Sequence, residues 1–227
     1  MRNVVLLSML LLISKGWGQE KRKSSYEESY TQTSQGTAGS ITQKARDKGE
    51  LKGTPYINEN FVASEIEGEL YMMRYNAAEN KFELLENDVV SEYPAKLDQT
   101  VIKIPSIQKQ YVYKNYRDGK NYQYGFLVWL NEPSDLKLYK SEKVLFVKGI
   151  VPKTSYDRAY PDEYKRIKDV YYFQKGAETI DRIPSSAKKF ANLFPDKEKE
   201  ILSFIKEQKI SMSEEKDLIR LFTFIQK

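Results

Sequence analysis

Gln110-Tyr111-Val112-Tyr113-Lys114-Asn115-Tyr116-Arg117-Asp118-Gly119-Lys120-Asn121-Tyr122-Gln123-Tyr124-Gly125-Phe126-Leu127-Val128-Trp129-Leu130 reads as a β-hairpin. Two aromatic-rich runs flank Asp118-Gly119. That dipeptide favours a two-residue type I′ turn, because both central positions need positive φ. Centred there, the turn sets Tyr113 opposite Tyr124 and Tyr111 opposite Phe126. Tyr111, Tyr113, Tyr124, Phe126, Val128 and Leu130 then share one face. Lys114, Tyr116, Asn121 and Gln123 lie on the other, with Val112 opposite Gly125. An aromatic face backed by a mostly polar one is the pattern of an antiparallel sheet with a single buried side. A slip of one residue would scramble it.

Further strand patterns lie on both sides. Leu70–Tyr75 and Lys81–Leu85 read as partners joined by the Asn76–Asn80 loop, and Val89-Val90 and Val101–Ile104 as shorter strands. Pro94 and Pro105 mark breaks. After the turn Asn131–Asp135, Leu136–Tyr139 and Lys143–Val151 read as strands, and Pro152–Lys168 as a long polar loop. Val170–Gln174 and Glu178–Ile183 make a last hairpin about Lys175-Gly176.

From Pro184 the period changes to that of helices. Ser185 or Ser186 can cap a short helix with Phe190, Leu193 and Phe194 inward, which Pro195 stops. Asp196 can cap a second, with Ile201, Phe204 and Ile205 on one face. Ser211-Met212-Ser213-Glu214 has the form of a capping box, and Leu218, Leu221, Phe222 and Ile225 form the stripe of a third. The expected fold is α+β. An antiparallel β-sheet, built of hairpins or a meander, spans 54–183, and a C-terminal three-helix segment at 184–227 packs on it.

The start of the chain has a different character. Met1–Gly18 reads as a secretory signal peptide: Arg2, an apolar run from Val4 to Ile13 broken only by Ser8, then small residues before Gln19. The run is shorter than the ~20 residues needed to span a bilayer. Gln19–Gly53 is rich in Ser, Thr and charge with almost no apolar residue. It reads as a disordered linker in which Tyr26 and Tyr30 could dock. Exported, periplasmic or extracellular localisation is the expectation, without a transmembrane segment in the mature chain.

Composition narrows the chemistry. There is no cysteine and no histidine. This removes Ser-His-Asp and Cys-His catalysis, thiolate and imidazole metal sites, and the neutral-pH proton shuttle. No Asn-x-Ser/Thr acceptor occurs, no cysteine follows the signal to carry a lipid, and no Gly-rich phosphate motif or calcium-loop pattern is present. The formal charge is +5, with 37 basic and 32 acidic residues interleaved, so nucleic acid is not an expected partner. No cofactor is expected.

Thr54-Pro55-Tyr56-Ile57-Asn58-Glu59-Asn60-Phe61 resembles the phrase that opens the folded part of many small exported envelope proteins of Gram-negative bacteria. Arg74-Tyr75-Asn76 with Lys81-Phe82-Glu83, Asp169-Val170-Tyr171-Tyr172-Phe173 and the helices from Lys188 onward are similar to later parts of the same uncharacterised group. The resemblance implies an envelope protein of mixed β and α structure. It implies no activity, ligand or catalytic residue.

Two constellations could carry function. Asp157, Asp162, Glu163 and Asp169 lie in or beside the long loop, where two carboxylates could serve a hydrolase as acid and base. Arg158, Lys165, Arg166 and Lys168 are interleaved with them and favour a salt-bridged, solvated loop. The 17 tyrosines are the second constellation. Tyr116 at the hairpin tip, Trp129, and Tyr156, Tyr160 and Tyr164 in the long loop are the expected binding aromatics, suited to sugar rings, peptides or partner surfaces. The expected function is a non-catalytic envelope module binding another envelope protein or a cell-wall or glycan polymer. A carboxylate-dependent hydrolase and a purely structural subunit are the alternatives.

Overall fold

The computed structural model describes residues 49–154 and 156–227. The signal-peptide reading of Met1–Gly18 and nearly all of the 19–53 linker, with Tyr26 and Tyr30, lie outside them. The strands are β1 (Val62–Ile66), β2 (Glu69–Asn76), β3 (Lys81–Glu86), β4 (Val89–Glu92), β5 (Val101–Ile104), β6 (Lys109–Asp118), β7 (Asn121–Trp129), β8 (Leu136–Ser141), β9 (Val144–Val147), β10 (Glu163–Arg166), β11 (Val170–Lys175) and β12 (Ile180–Arg182). Three helices follow: α1 (Ala187–Ala191), α2 (Glu198–Glu207) and α3 (Glu215–Ile225).

β6 organises the main sheet. β7 occupies one of its edges over nearly its whole length. The other edge is divided. Its first half pairs antiparallel with β5, Lys109 to Val112 against Ile104 to Val101. Its far end, at Tyr116 and Arg117, pairs in parallel with Ile180 and Asp181 of β12. The β5 contact begins an open wing in the order β5-β1-β2-β3-β4, and the β12 contact closes β6-β7-β8-β11-β12 into a five-stranded barrel. Strands that alternate in direction around a ring of odd number leave one parallel pair, and β12–β6 is that pair. The expected antiparallel meander is therefore corrected to a barrel with a parallel seam and a wing. Two reciprocal ion pairs mark the seam: Arg117 with Asp181 at 2.6 Å and Arg182 with Asp118 at 3.1 Å.

The central hairpin is present in a different register. Asp118 faces Asn121, Tyr113 faces Phe126 and Tyr111 faces Val128, so the turn is Gly119-Lys120. Gly119 has φ +65°, as a type II′ turn requires of its first central residue. The shift is by an even step, so each residue keeps its face while its partner changes. The mostly polar second face is also corrected. Val112, Tyr116 and Leu127 point into the barrel, where they pack with Tyr139, Tyr172 and Ile180. The first face is covered by the wing: Tyr111, Phe126 and Val128 meet Met73, Tyr75, Phe82 and Ile102.

The approach of the wing is close. Asn80 accepts hydrogen bonds at Oδ1 from the Tyr75 hydroxyl (2.9 Å) and the Phe126 amide (2.8 Å). A Cβ on Gly125 would lie 2.0 Å from the Asn80 amide nitrogen, so only glycine fits there. The inner part of the hairpin is thus covered on both faces, while Tyr122 and Tyr124 near its tip are exposed, Tyr124 against expectation.

The helices pack on the outside of β8 and β11. Leu138 and Phe173 meet Phe190, Ile201, Ile205, Leu218, Leu221 and Phe222 in one cluster. Ser186 caps α1, accepting from the Lys189 amide. Asp196 and Ser211 do not cap as the sequence suggested. Asp196 sits in a 3-10 turn ahead of α2, which has no side-chain cap, and Ser211 donates its amide to Asp217 inside α3. The C-terminal end of α3 is fastened by Lys197 Nζ, which donates to the Ile225 carbonyl at 2.9 Å.

Candidate functional site

β9 and β10 form a second, two-stranded sheet between two strands of the barrel wall. β8 ends at Ser141 and β11 begins at Val170, and these two residues are direct partners in the wall. Everything between them leaves the barrel and returns. Val147 faces Glu163, Phe146 faces Tyr164 and Val144 faces Arg166. Farther out, Ile150 and Tyr160 exchange backbone hydrogen bonds at 2.9 and 3.1 Å. Lys52 adds a single parallel bridge to Glu163, its amide donating to the Asp162 carbonyl and its carbonyl accepting from the Tyr164 amide. The long polar loop of the sequence reading therefore contains strand β10. The Lys143–Val151 strand is shorter than expected, ending at Val147.

The ribbon is apolar and uncovered. Leu145, Phe146, Val147, Ile150 and Val151 are all exposed, each at 43–58% of full accessibility, and Tyr156 is exposed at 95%. Alternating strands normally bury one face. Here the apolar residues of β9 occupy both faces, and only Val144, at the root, is buried. Tyr164 is half-buried, its ring centroid 5.2 Å from that of Phe146.

The root of the ribbon is held by charge. The buried Glu142 accepts from Lys109 Nζ at 2.7 Å and from the Tyr111 hydroxyl at 2.6 Å, with Lys140 Nζ at 3.5 Å. Lys140 in turn reaches Glu215 of α3 at 2.7 Å. Arg166 of β10 pairs with Asp169 and donates to the Lys143 carbonyl at 2.9 Å. Burial pushes the Glu142 carboxyl up, but Lys109, the Tyr111 hydroxyl and Lys140 outweigh it and hold it below its ordinary value. Burial likewise pulls the Lys140 ammonium down, and Glu215, Glu142 and Asp169 more than reverse that. Burial and the Glu142 charge push the Tyr111 phenol far up, so it remains a hydrogen-bond donor. The cluster ties the barrel and α3 to the point where the ribbon leaves.

The five aromatics singled out in the sequence divide three ways. All three loop tyrosines belong to the ribbon: Tyr164 in β10, Tyr160 at the bridge to Ile150 and Tyr156 in the turn beyond it. Tyr116 is not an exposed tip residue: it is 1% exposed inside the barrel, 4.9 Å from the Tyr172 ring, its hydroxyl donating to Gln123 at 3.2 Å. It faces inward because β12 closes over it. Trp129 lies away from the ribbon, half-buried, its indole donating to Asn131 at 3.1 Å. It lines a cleft of about 450 Å³ with Pro105, Gln110 and Pro133.

Three of the four carboxylates singled out in the loop, Asp157, Asp162 and Asp169, have structural partners; Glu163 is exposed on β10. Asp157 accepts from the amides of Lys153 and Thr154, which hold its carboxyl below its ordinary value. Asp162 accepts from the Gly149 amide at 2.6 Å, and Asp169 is paired with Arg166. Among the described residues no group of three or more His, Cys, Asp or Glu could hold a metal ion, and no helix is long and apolar enough to cross a membrane.

Sequence reasoning passed over Leu145, Phe146, Val147, Ile150 and Val151. Their signal was the unbroken apolar run Val144-Leu145-Phe146-Val147 set between Lys143 and Lys148, which has no polar face for solvent. No protein-family model, no curated protein and no solved structure matches the chain.

Proposed function

We propose that this chain is a non-catalytic exported envelope protein that binds another envelope protein or polymer, with the β9–β10 ribbon as its contact arm. The observation that carries this reading is the ribbon itself. It stands outside the closed sheet and exposes large apolar side chains on both of its faces, and exposed apolar surface of this kind marks interaction sites on folded proteins. Tyr156 and Tyr160 add aromatic contact area, which is enriched at protein interfaces. Export rests on the reading of Met1–Gly18 and on the resemblance of Thr54–Phe61 to exported envelope proteins. A hydrolase is less well supported, because Asp157, Asp162 and Asp169 are each engaged in holding the ribbon's own backbone or its root.

The test is a photo-crosslinking residue placed at Phe146, with a control at exposed Lys120 on the distant hairpin tip, in cells making the protein. Adducts at Phe146 alone support the arm. Equal or absent adducts at both sites contradict it. Glycan or peptide hydrolysis that disappears in the double variant Asp162→Asn, Glu163→Gln, with unchanged melting, would replace it with the enzyme.

A further inference from the structure

Two free strand edges in this molecule are apolar and carry opposite charge. β4 is the open end of the wing. Met72, Leu85 and Val90 line up across β2, β3 and β4 on the face away from the core. Met72 and Val90 are exposed, and Leu70 beside them is 71% exposed. The surroundings are acidic: residues Thr54–Tyr93 hold nine acidic and two basic residues, a formal charge of −7. Glu67, Glu86 and Asp88, at the turns flanking this strip, make no ion pair among the described residues. Pairing of two β4 edges would set these acids against one another, which guards the edge against its own kind.

The other free edge belongs to β9, at the end of the second sheet. Its first residue donates to the Ala77 carbonyl, and from Leu145 onward the edge makes no further backbone pairing among the described residues. Its surroundings are basic: residues Lys143–Lys168 hold seven basic and three acidic residues, a formal charge of +4. β4 and β9 are each four residues long.

We infer that the ribbon of one copy docks on the β4 edge of another, adding β9 to the wing as a further strand. This rests on the reading of the ribbon as a contact arm and names its partner as a second copy of this chain. Backbone hydrogen bonds would extend the sheet, Leu145 and Val147 would meet the apolar strip, and the basic ribbon would lie against the acidic surroundings of β4. The contact joins two different surfaces, so it propagates head to tail, closing into a ring or continuing as a filament.

Sedimentation velocity of the purified protein over a range of concentrations tests this, with two variants at exposed positions. Leu145→Glu disables the ribbon and leaves the edge intact; Val90→Lys does the reverse. Each alone is expected to weaken self-association by at least about tenfold, with melting unchanged. An equimolar mixture of the two is expected to form a discrete 1:1 dimer, because one intact ribbon then meets one intact edge. Association should weaken as salt is raised from ~0.05 to ~0.5 M. A protein that stays monomeric at every concentration overturns the inference. So does a dimer lost in Val90→Lys and untouched by Leu145→Glu, or ribbon-dependent binding to anionic vesicles without self-association. A monomer whose ribbon still crosslinks to a different protein sinks self-docking alone; a ribbon that crosslinks to nothing sinks the contact arm as well.

Discussion

Gly125 shows how much of this fold is settled by single atoms. Its position carries no side chain because the Asn80 amide fills the space, bonded to Tyr75 and to the backbone of Phe126. Gly125→Ala should therefore cost about 2 kcal/mol, as overpacking does. The check is a lower urea midpoint with an unchanged slope. Glu142 makes a pH-dependent contribution. Its carboxyl is held below its ordinary value of 4.5, so its stabilisation is complete above that pH and is lost as pH falls through the lowered value. Glu142→Gln should cost about 3 kcal/mol at pH 7, because Lys109 and Lys140 keep their charges at a buried site. Thermal melts across pH 2–7 should show the gap between variant and parent closing on the acid side, below the ordinary value of 4.5. The same scale explains two misreadings. Asp118-Gly119 carries the strongest local turn signal, yet Asp118 remains in the strand and pairs with Arg182, 64 residues away. Tyr116 looks like an exposed tip residue until β12 closes over it. Neither partner is local, so neither shows in the hairpin's own sequence.

At the scale of elements, the helices were legible because each carries an apolar stripe at helical spacing, and all of Leu218, Leu221, Phe222 and Ile225 are buried. Their starts were less so. The capping pattern at Ser211 was outcompeted by Asp217, which reaches back to the Ser211 amide from inside the helix. Phe222 lies at the centre of the helix–barrel contact, its ring 5.9 Å from that of Phe190. Phe222→Ala should cost about 3–5 kcal/mol, measured by denaturant unfolding. Strand β5 was read to the residue, since Val101–Ile104 is bounded by Thr100 and Pro105. β1 and β10 were missed. β1 mixes Ala, Ser and Glu among its apolar residues, and β10, Glu163-Tyr164-Lys165-Arg166, is nearly all polar because solvent reaches much of both its faces. A strand with little burial leaves little hydrophobic pattern to read.

At the scale of the molecule, the described residues form a barrel with a wing on one side, helices on another and a ribbon that belongs to none of these layers. Sheet content and C-terminal helices were readable because they depend on local periodicity. Barrel closure was not, because it rests on a three-residue strand pairing in parallel with a distant one. The ribbon's role was half-readable: its tyrosines stood out, while the aliphatic residues that give it an apolar surface resembled core. The central claim is that the barrel, wing and helices carry the fold and the ribbon carries contact. Val144 and Arg166 are direct partners at the root, so the ribbon beyond them can be excised by joining these two residues through a short polar turn, which leaves the buried Val144 in place. Thermal unfolding of that variant is the direct measurement. The account predicts a single cooperative transition within about 5 °C of the parent, a difference of about 1–2 kcal/mol for a chain of this size. Loss of the cooperative transition, or a fall well beyond that, would contradict it by showing that the ribbon is part of what holds the protein together.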